Sequence, residues 1–307
     1  MSQRKSAITG RKDNNSPPVQ AIRSAELAFK KLIRAIVLCC LFYPAAATAQ
    51  AYRPEIMSLN DGEETTYEVY FKWGILMPRA GEAKLSFAAT SDHAGAARYR
   101  MHFATTRFFD AIYKMRDTLD CYYAPDFSLL YAVKHSDEGG YSLTDELTFS
   151  YSGNRTVVRS HRYTPATTKI DTSLLSISGH VFDMFGVVFY LRTLDWNKLK
   201  TGDRVTCKVA IGRDLVHIAC RYSGRTIIAR EQRKYRTHRF TVEIYDKAFE
   251  QTHAATEIWI SDDENHMPVK IRSKLKIGAA EIYCKSATNL KAPLKCVTDF
   301  NPAAVQK

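Results

Sequence analysis

The chain has 307 residues, of which 45% are hydrophobic and 25% charged, a balance that is typical of folded proteins and excludes wholesale disorder. Its formal net charge is +12, from 44 basic and 32 acidic residues. Residues 1–49 hold eight of these basic residues and two of the acidic ones, so half of the positive excess lies there. No apolar run reaches the roughly 18 residues of a spanning helix, which excludes a polytopic membrane protein.

The N-terminal leader, residues 1–49, predicts export. Its apolar core is the nine-residue run 35–43, with small residues behind it at Ala47 and Ala49 and with four basic residues before it: Arg23, Lys30, Lys31 and Arg34. This order is typical of a cleavable secretory signal, and we expect cleavage before Gln50 and a periplasmic protein. An uncleaved anchor is the alternative, which the short apolar run disfavours. A lipoprotein signal is disfavoured because no small residue precedes either cysteine of the leader.

From about residue 60 onward, large apolar residues alternate with polar ones. The pattern is clearest in residues 67–73, 99–103 and 240–244. Alternation with a period of two is typical of strands that have one buried and one solvated face, as in an antiparallel sheet. The sequence therefore predicts a protein built mainly from such strands.

Two segments break this alternation. Residues 106–115 fit a short amphipathic helix or an irregular crossing, and residues 180–193 predict a helix with Ser178 as its N-cap. The second helix is apolar on nearly every side, so we expect it to be buried against the sheet, the alternative being a membrane-dipping segment. Its Asp183 and Arg192 lie about 13 Å apart along a helix, too far to form one pair. Each is expected to be the buried counter-charge of a strand residue, with a ligand contact as the alternative.

Two hairpins are predicted in the second half of the chain. Strands 205–211 and 216–220 with a four-residue turn bring Cys207 opposite Cys220, where either a disulfide or two packed thiols would fit. Strands 257–260 and 267–275 flank the polar turn 261–266, and Pro268 begins its strand, where the missing N–H group is tolerated. Five cysteines follow the leader, and none has CxxC spacing, so a zinc site has no support.

About ten strands and one or two helices predict a mainly β protein. The expected architecture is a single curved antiparallel sheet or open β-barrel, covered by one or two helices. We expect one domain at residues 62–288, preceded by an extension at 50–61 and followed by a C-terminal tail at 289–307.

Three segments together carry a resemblance to a known family. They are residues 64–74, residues 183–192 and the closing stretch 259–278, which contains Trp259, an acidic turn and Pro268. These segments resemble the first strand, the central helix and the closing hairpin of exported bacterial proteins known only as domain of unknown function 3108. The resemblance covers roughly residues 62–288. It implies an exported β-rich domain and brings no reaction, substrate or catalytic residue with it.

The sequence contains no GxSxG, HExxH or glycine-rich phosphate-binding motif. Its densest group of oxygen ligands is Asp262, Asp263, Glu264 and Asn265. Such a group could bind calcium or supply a carboxylate pair, but it lacks the DxDxDG spacing, and a hairpin tip also favours these residue types. We therefore predict no catalytic residue, no metal and no cofactor, and keep the group as a candidate metal or polar cluster.

A basic stretch, residues 221–239, carries seven cations and one acid. It fits a solvated hairpin or, alternatively, a surface that contacts anionic headgroups or acidic glycans. Nucleic acid is not expected as a partner, because no recognition helix is visible. The candidate ligand-binding residues are aromatic or charged and lie on strands and on the central helix: Trp73, Phe185, Tyr190, Arg192 and Trp259.

The function that the sequence favours is a non-catalytic periplasmic binding module for a lipid or an acylated partner. One alternative is a structural or assembly partner within an envelope complex. Another is a hydrolase of envelope polymer that uses Asp262 or Asp263 with a residue distant in the sequence. Contact with a membrane surface is compatible with each of these functions.

Overall fold

The computed structural model describes residues 59–166, 170–231, 233–245, 256–275 and 277–300. The predicted leader and its cleavage site lie outside these residues. The first eight strands are β1 Glu64–Lys72, β2 Arg79–Ala89, β3 Ala97–Thr105, β4 Met115–Tyr123, β5 Leu129–Glu138, β6 Tyr141–Ser152, β7 Arg155–Tyr163 and β8 Asp171–Ser178. The later strands are β9 Arg204–Ile211, β10 Asp214–Arg230, β11 Arg233–Tyr245, β12 Thr256–Ser261, β13 Pro268–Lys274, β14 Ala279–Thr288 and β15 Val297–Phe300. The helices are α1 Arg107–Tyr113 and α2 Met184–Arg192.

All of these strands belong to one sheet. Its order is β8-β7-β6-β5-β4-β3-β2-β1-β14-β13-β12-β11-β10-β9, and β15 pairs with β11 beside this path. The predicted curved antiparallel sheet is thus confirmed, with more strands than the sequence alternation indicated. The last strand, β15, falls in the predicted tail, so the sheet extends beyond residue 288. Among the described residues, no helix has the length and apolar character needed to cross a membrane.

The two edges of the sheet, β8 and β9, meet at a seam without forming a continuous ladder. Phe182, in the segment after β8, makes a single parallel bridge to Val209 of β9. Its N–H donates to the carbonyl of Lys208 at 2.8 Å, and the N–H of Ala210 donates to the Phe182 carbonyl at 2.9 Å. The sheet is therefore an open barrel whose edges are joined by one short stretch of extended chain.

Helix α2 lies in the interior of this barrel. Val187 and Leu191 pack in an apolar cluster with strands β9–β12, while Phe185 and Phe189 pack in a second cluster with strands β2–β8 and Ala210 of β9. The helix is thus buried against the sheet, as its apolar sequence predicts. The two clusters lie on opposite sides of α2, so the helix joins the two halves of the sheet.

The predicted N-cap of this helix is wrong. Ser178 is the last residue of β8, and the chain after it bends at Gly179, which has a φ of +82°, before Phe182 bridges β9. The helix begins only at Met184, and Asp183 caps it by accepting a 2.6 Å hydrogen bond from the N–H of Gly186. A carboxylate at this position satisfies one of the free N–H groups of the first turn.

The register of the β9–β10 hairpin also differs from the prediction. The structure pairs Val209 with Val216, Cys207 with Ile218 and Val205 with Cys220. The turn holds two residues rather than four, because Gly212 has a φ of +55°, which suits the first position of a tight hairpin turn. Cys207 and Cys220 therefore do not face each other, and both are buried free thiols. The other predicted hairpin, now β12–β13, and the short helix α1 are confirmed.

Candidate ligand-binding cavity

A cavity of about 210 Å³ lies between α2 and the inner face of the sheet. Strands β1 to β3 and β9 to β14 contribute to its wall, which is mainly apolar and includes Ala83, Leu85, Val187, Val242, Ile258 and Ile282. For comparison, an apolar cavity of about 150 Å³ in another protein binds benzene, so this one has room for a group of about eight carbon atoms. The cavity therefore has room for one short apolar chain or ring.

One region of the cavity wall is polar, and its two opposite charges compensate each other. The Arg192 guanidinium at the end of α2 lies 2.9 Å from one carboxylate oxygen of Glu63 and 3.3 Å from the other. Both side chains are buried, and Glu63 immediately precedes β1. Ion pairs in such surroundings are costly to break, because the remaining charge has no solvent. The pair therefore offers a fixed polar boundary with no net charge.

Two tyrosines add hydroxyl groups to the same wall. The Tyr67 hydroxyl donates to the carbonyl of Pro268 at 2.9 Å, and Tyr99 packs edge-on against Phe185, with ring centroids 4.9 Å apart. Burial raises the pKa of both phenols well above the usual value, so both stay neutral. The cavity thus combines apolar walls with uncharged hydroxyls, a combination that suits a neutral or weakly amphipathic ligand.

The start of α2 is held by a second buried carboxylate. The Tyr123 hydroxyl lies 3.0 Å from each carboxylate oxygen of Asp183 and donates to it. Burial raises the pKa of Asp183, and the hydrogen bonds from Gly186 and Tyr123 oppose this shift. Asp183 and Arg192 thus anchor the two ends of α2 to different parts of the sheet. Arg192 meets a counter-charge, Glu63, just before β1, whereas Asp183 meets the neutral hydroxyl of Tyr123 and not a strand cation.

A wider cleft of about 560 Å³ lies at the seam. Its wall includes Phe182, Tyr190, Lys208 and His217, and it is more open to solvent than the interior cavity. Ile218 contributes to the walls of both, so the two spaces are neighbours. We regard the interior cavity as the better ligand site, although it is smaller, because enclosure by apolar walls removes more of a ligand from water.

The five candidate ligand-binding residues from the sequence are distributed over several places. Phe185 and Arg192 line the interior cavity, and Tyr190 lines the seam cleft. Trp259 is buried on the outer face of β12, where the Lys270 ammonium lies 4.8 Å from its ring centroid. Trp73 is exposed at the end of the barrel. Sequence alternation predicted which residues share the buried face of a strand. It gave no signal that Tyr67, Tyr99 or Ile258 on such a face would line a cavity.

Comparison with known proteins places the chain in a family. The family model for the protein of unknown function DUF3108 matches residues 66–285. The chain belongs to this family. No curated protein matches it. The description of DUF3108 names no reaction, substrate or ligand.

Two solved structures resemble this DUF3108 chain. One is a β-barrel-like protein of domain of unknown function DUF1849 from Brucella abortus, with a TM-score of 0.51, 9% identity and coverage of 75% of this chain and 98% of that one. The other is a candidate lipoprotein from Parabacteroides distasonis, with a TM-score of 0.30, 9% identity and coverage of 76% and 98%. The first supports the β-barrel-like fold alone, and the second is too distant to support an argument.

The four residues of the predicted polar cluster, 262–265, do not form one site in the DUF3108 chain. Asp263 accepts hydrogen bonds from the Ser261 hydroxyl at 2.9 Å and from the backbone N–H of Cys296 at 3.0 Å. Asn265 is buried and donates to the carbonyl of Ala292 at 2.9 Å. Glu264 pairs with a lysine on the surface. These residues hold the β12–β13 turn to the segment before β15, and no group of three or more metal-ligating side chains occurs in the described parts of the chain.

Asp262, the fourth member of the cluster, belongs to a separate hydrogen-bond chain. Its carboxylate lies 2.9 Å from His238 Nε2, and the Tyr222 hydroxyl lies 2.9 Å from His238 Nδ1. His238 is only 1% exposed and packs against Trp196. Burial lowers its pKa, which favours the neutral ring. Neither the cavity nor the cleft reaches this histidine. The Tyr222–His238–Asp262 hydrogen bonds therefore support the packing of β10, β11 and the β12–β13 turn.

The basic stretch 221–239 lies on the β10–β11 hairpin, and several of its cations have partners within the protein. Arg221 pairs with Glu243, and the Arg230 guanidinium lies over two rings, 4.7 Å from the centroid of Tyr70 and 4.3 Å from that of Tyr283. These contacts favour the structural interpretation of this stretch over an anion-binding surface.

Acidification is expected to destabilise the protein through His266, which is partly buried. Burial lowers the pKa of His266 to about 4, and its ring stacks on Trp196 with centroids 4.4 Å apart. In the unfolded chain His266 binds a proton near pH 6.5. Its contribution to the free energy of unfolding is therefore fully present above that pH and is lost as the pH drops toward 4. Urea unfolding at several pH values should show this slope, and His266→Asn, which tolerates the positive φ of +46°, should reduce it. An unchanged slope in that variant would contradict the assignment.

Proposed function

We propose that this protein is a non-catalytic periplasmic binding module whose interior cavity takes a short apolar chain or ring of a lipid or an acylated partner. The observation that carries the proposal is the apolar cavity of about 210 Å³ beside α2, bounded by neutral hydroxyls and by the Arg192–Glu63 pair. Apolar walls that meet a few fixed polar groups are typical of small-molecule sites.

The seam supports a route for the ligand. The cleft there opens to solvent and shares Ile218 with the cavity, and Lys208 and His217 stand in its wall. An amphipathic molecule could place its chain beside α2 and its polar group near these side chains. The predicted signal peptide supports a location where such envelope ligands are available.

The size of the cavity gives a direct test with linear alcohols of increasing length. Calorimetric titration should show affinity rising about fourfold for each added carbon, because each buried methylene contributes about 0.8 kcal/mol. The rise should stop near octan-1-ol, when about eight carbons fill the space. A protein that binds none of the series, or binds without a length limit, would not have the proposed site.

A matched pair of variants locates the binding. Ala83 lines the cavity, and Ala83→Leu should place three more carbons in it and move the limit to alcohols about three carbons shorter. Ala88 lies on the same strand with its side chain on the opposite face, so Ala88→Leu should leave the series unchanged. Circular dichroism would confirm that both variants are folded. Equal behaviour of the two variants would refute a cavity site.

A further inference from the structure

Large apolar side chains that are exposed to solvent concentrate at one end of the barrel. Eleven such residues occur in the part of the chain that the structure describes, and six of them lie in three adjacent connections. We call this group the apolar end: Trp73, Ile75, Leu76, Phe108, Ile112 and Ile277. Ile75 is 100% exposed and Phe108 is 65% exposed. Single exposed apolar residues are ordinary, but a cluster of this kind marks an interaction surface.

The three connections are held together by backbone contacts. In the β1–β2 connection, Trp73 and Leu76 exchange hydrogen bonds of 2.8 and 3.0 Å. Gly278, in the β13–β14 turn, lies directly against the backbone of Lys72 and Trp73, and its φ of +77° suits glycine. Ile277 is therefore fixed beside the β1–β2 connection. The apolar end is thus built on a paired, ordered backbone.

Helix α1 completes the surface from the other side. The N–H of Thr106 donates to the carbonyl of Ala80 at 2.9 Å, which docks the start of the helix beside β2. Phe109 points inward and packs with Val69 and Ala80, whereas Phe108 and Ile112, one helical turn apart, face solvent. The helix therefore buries one aromatic ring in the core and exposes two apolar side chains to solvent.

Exposed cations surround these side chains. Arg107 begins α1, Lys114 follows it and lies 3.9 Å from Asp137 with its side chain still exposed, and Lys274 precedes the β13–β14 turn. Cations next to projecting apolar and tryptophan side chains match the two layers of a membrane surface, which are anionic headgroups and the acyl region beneath them. Tryptophan in particular is enriched at that boundary.

We propose that the apolar end docks the protein on an anionic membrane surface, with Ile75 and Phe108 inserted among the lipids and Arg107, Lys114 and Lys274 at the headgroups. This inference does not depend on the cavity ligand. The side chains project from three separate connections and do not line a groove. A fluid lipid phase accepts such projections one by one, whereas a protein partner would need a matching concave surface.

Flotation of the full chain with vesicles tests the proposal. Vesicles of phosphatidylcholine with phosphatidylglycerol should bind the protein, and vesicles of phosphatidylcholine alone should bind it more weakly. Ile75→Ser and Phe108→Ser should each weaken binding at least about tenfold, the lower end of what is expected for losing one buried large apolar side chain. Lys274→Gln should weaken binding to the anionic vesicles about fivefold.

Two other exposed residues provide matched controls. Ile227 and Leu174 are each 61% exposed but lie outside the apolar end, so Ile227→Ser and Leu174→Ser should leave flotation unchanged. The N-terminal leader is common to every protein in the comparison, so it cannot produce a difference between variants. Trp73 supplies a local readout: its fluorescence should shift to shorter wavelength on vesicles, and Trp73→Phe should remove that shift.

Three results would overturn the proposal. Flotation that Ile75→Ser and Phe108→Ser do not weaken would show that the apolar end does not contact lipid. Equal losses in Ile227→Ser would show that exposed apolar side chains promote flotation wherever they lie on the protein. A self-associated protein that Ile75→Ser converts to monomers in light scattering, without vesicle binding, would assign the surface to a second copy of the chain.

Discussion

Replacement of Arg192 by alanine is expected to lower the free energy of unfolding by about 3–5 kcal/mol, because it leaves the Glu63 carboxylate buried without its partner. Both side chains are nearly inaccessible to solvent, and their closest nitrogen–oxygen distance is 2.9 Å. Chemical denaturation monitored by circular dichroism measures the loss directly. Breaking this pair also separates the C-terminal end of α2 from β1, so we expect the cavity to lose its fixed polar boundary.

The double variant Glu63→Gln with Arg192→Met distinguishes a lost charge pair from lost volume. Because it removes both charges, it should recover much of the stability that Arg192→Ala loses. Lys198→Ala is the surface control: Lys198 also pairs with an aspartate, Asp195, but its side chain is 81% exposed, and the expected cost is about 0–1 kcal/mol. Equal costs for Arg192→Ala and Lys198→Ala would contradict the importance of burial.

Phe189→Ala is expected to cost about 3–5 kcal/mol, the range for removing a buried phenylalanine ring. The side chain is 1% exposed and meets Tyr99 and Tyr123 with ring centroids 4.8 and 5.4 Å away. Since α2 packs against both halves of the sheet, a gap at this position weakens contacts that no other element replaces. Urea titration of the variant would give the difference in stability.

Phe108→Ala serves as the control for this substitution, because it removes the same ring from an exposed position on α1. Its expected effect on the free energy of unfolding is within about 0.5 kcal/mol. If Phe189→Ala also fell within that range, α2 could not be the element that joins the two apolar clusters.

Much of the fold could be predicted from local patterns. Alternation indicated β1, β3 and β11, and the acidic turn followed by Pro268 indicated the β12–β13 hairpin, because these signals depend on neighbouring residues. The register of β9–β10 could not be predicted in the same way. Turns of two and four residues both keep the apolar residues on one face, and only the conformation of Gly212 distinguishes them.

The candidate site was less accessible to prediction. The charge on Arg192 signalled a buried partner, but Glu63 lies far away in the sequence and meets it only after the sheet has curved around α2. The cavity depends on how closely side chains from nine strands and a helix pack, which no single segment encodes. Asp262 and Asp263 are neighbours in the sequence, yet one joins a buried histidine while the other holds a turn.

The strand order has a consequence for biogenesis. β1 and β14 pair in the middle of the sheet, with Glu64 opposite Thr288, whereas the free edges β8 and β9 come from the middle of the chain. A nascent chain that has reached β8 can form half of the ladder, but β1 then keeps a row of unsatisfied backbone groups until β14 has been synthesised. Long unpaired strands invite association with other chains. We therefore expect translation intermediates of this protein to depend on chaperone protection until the final strands arrive.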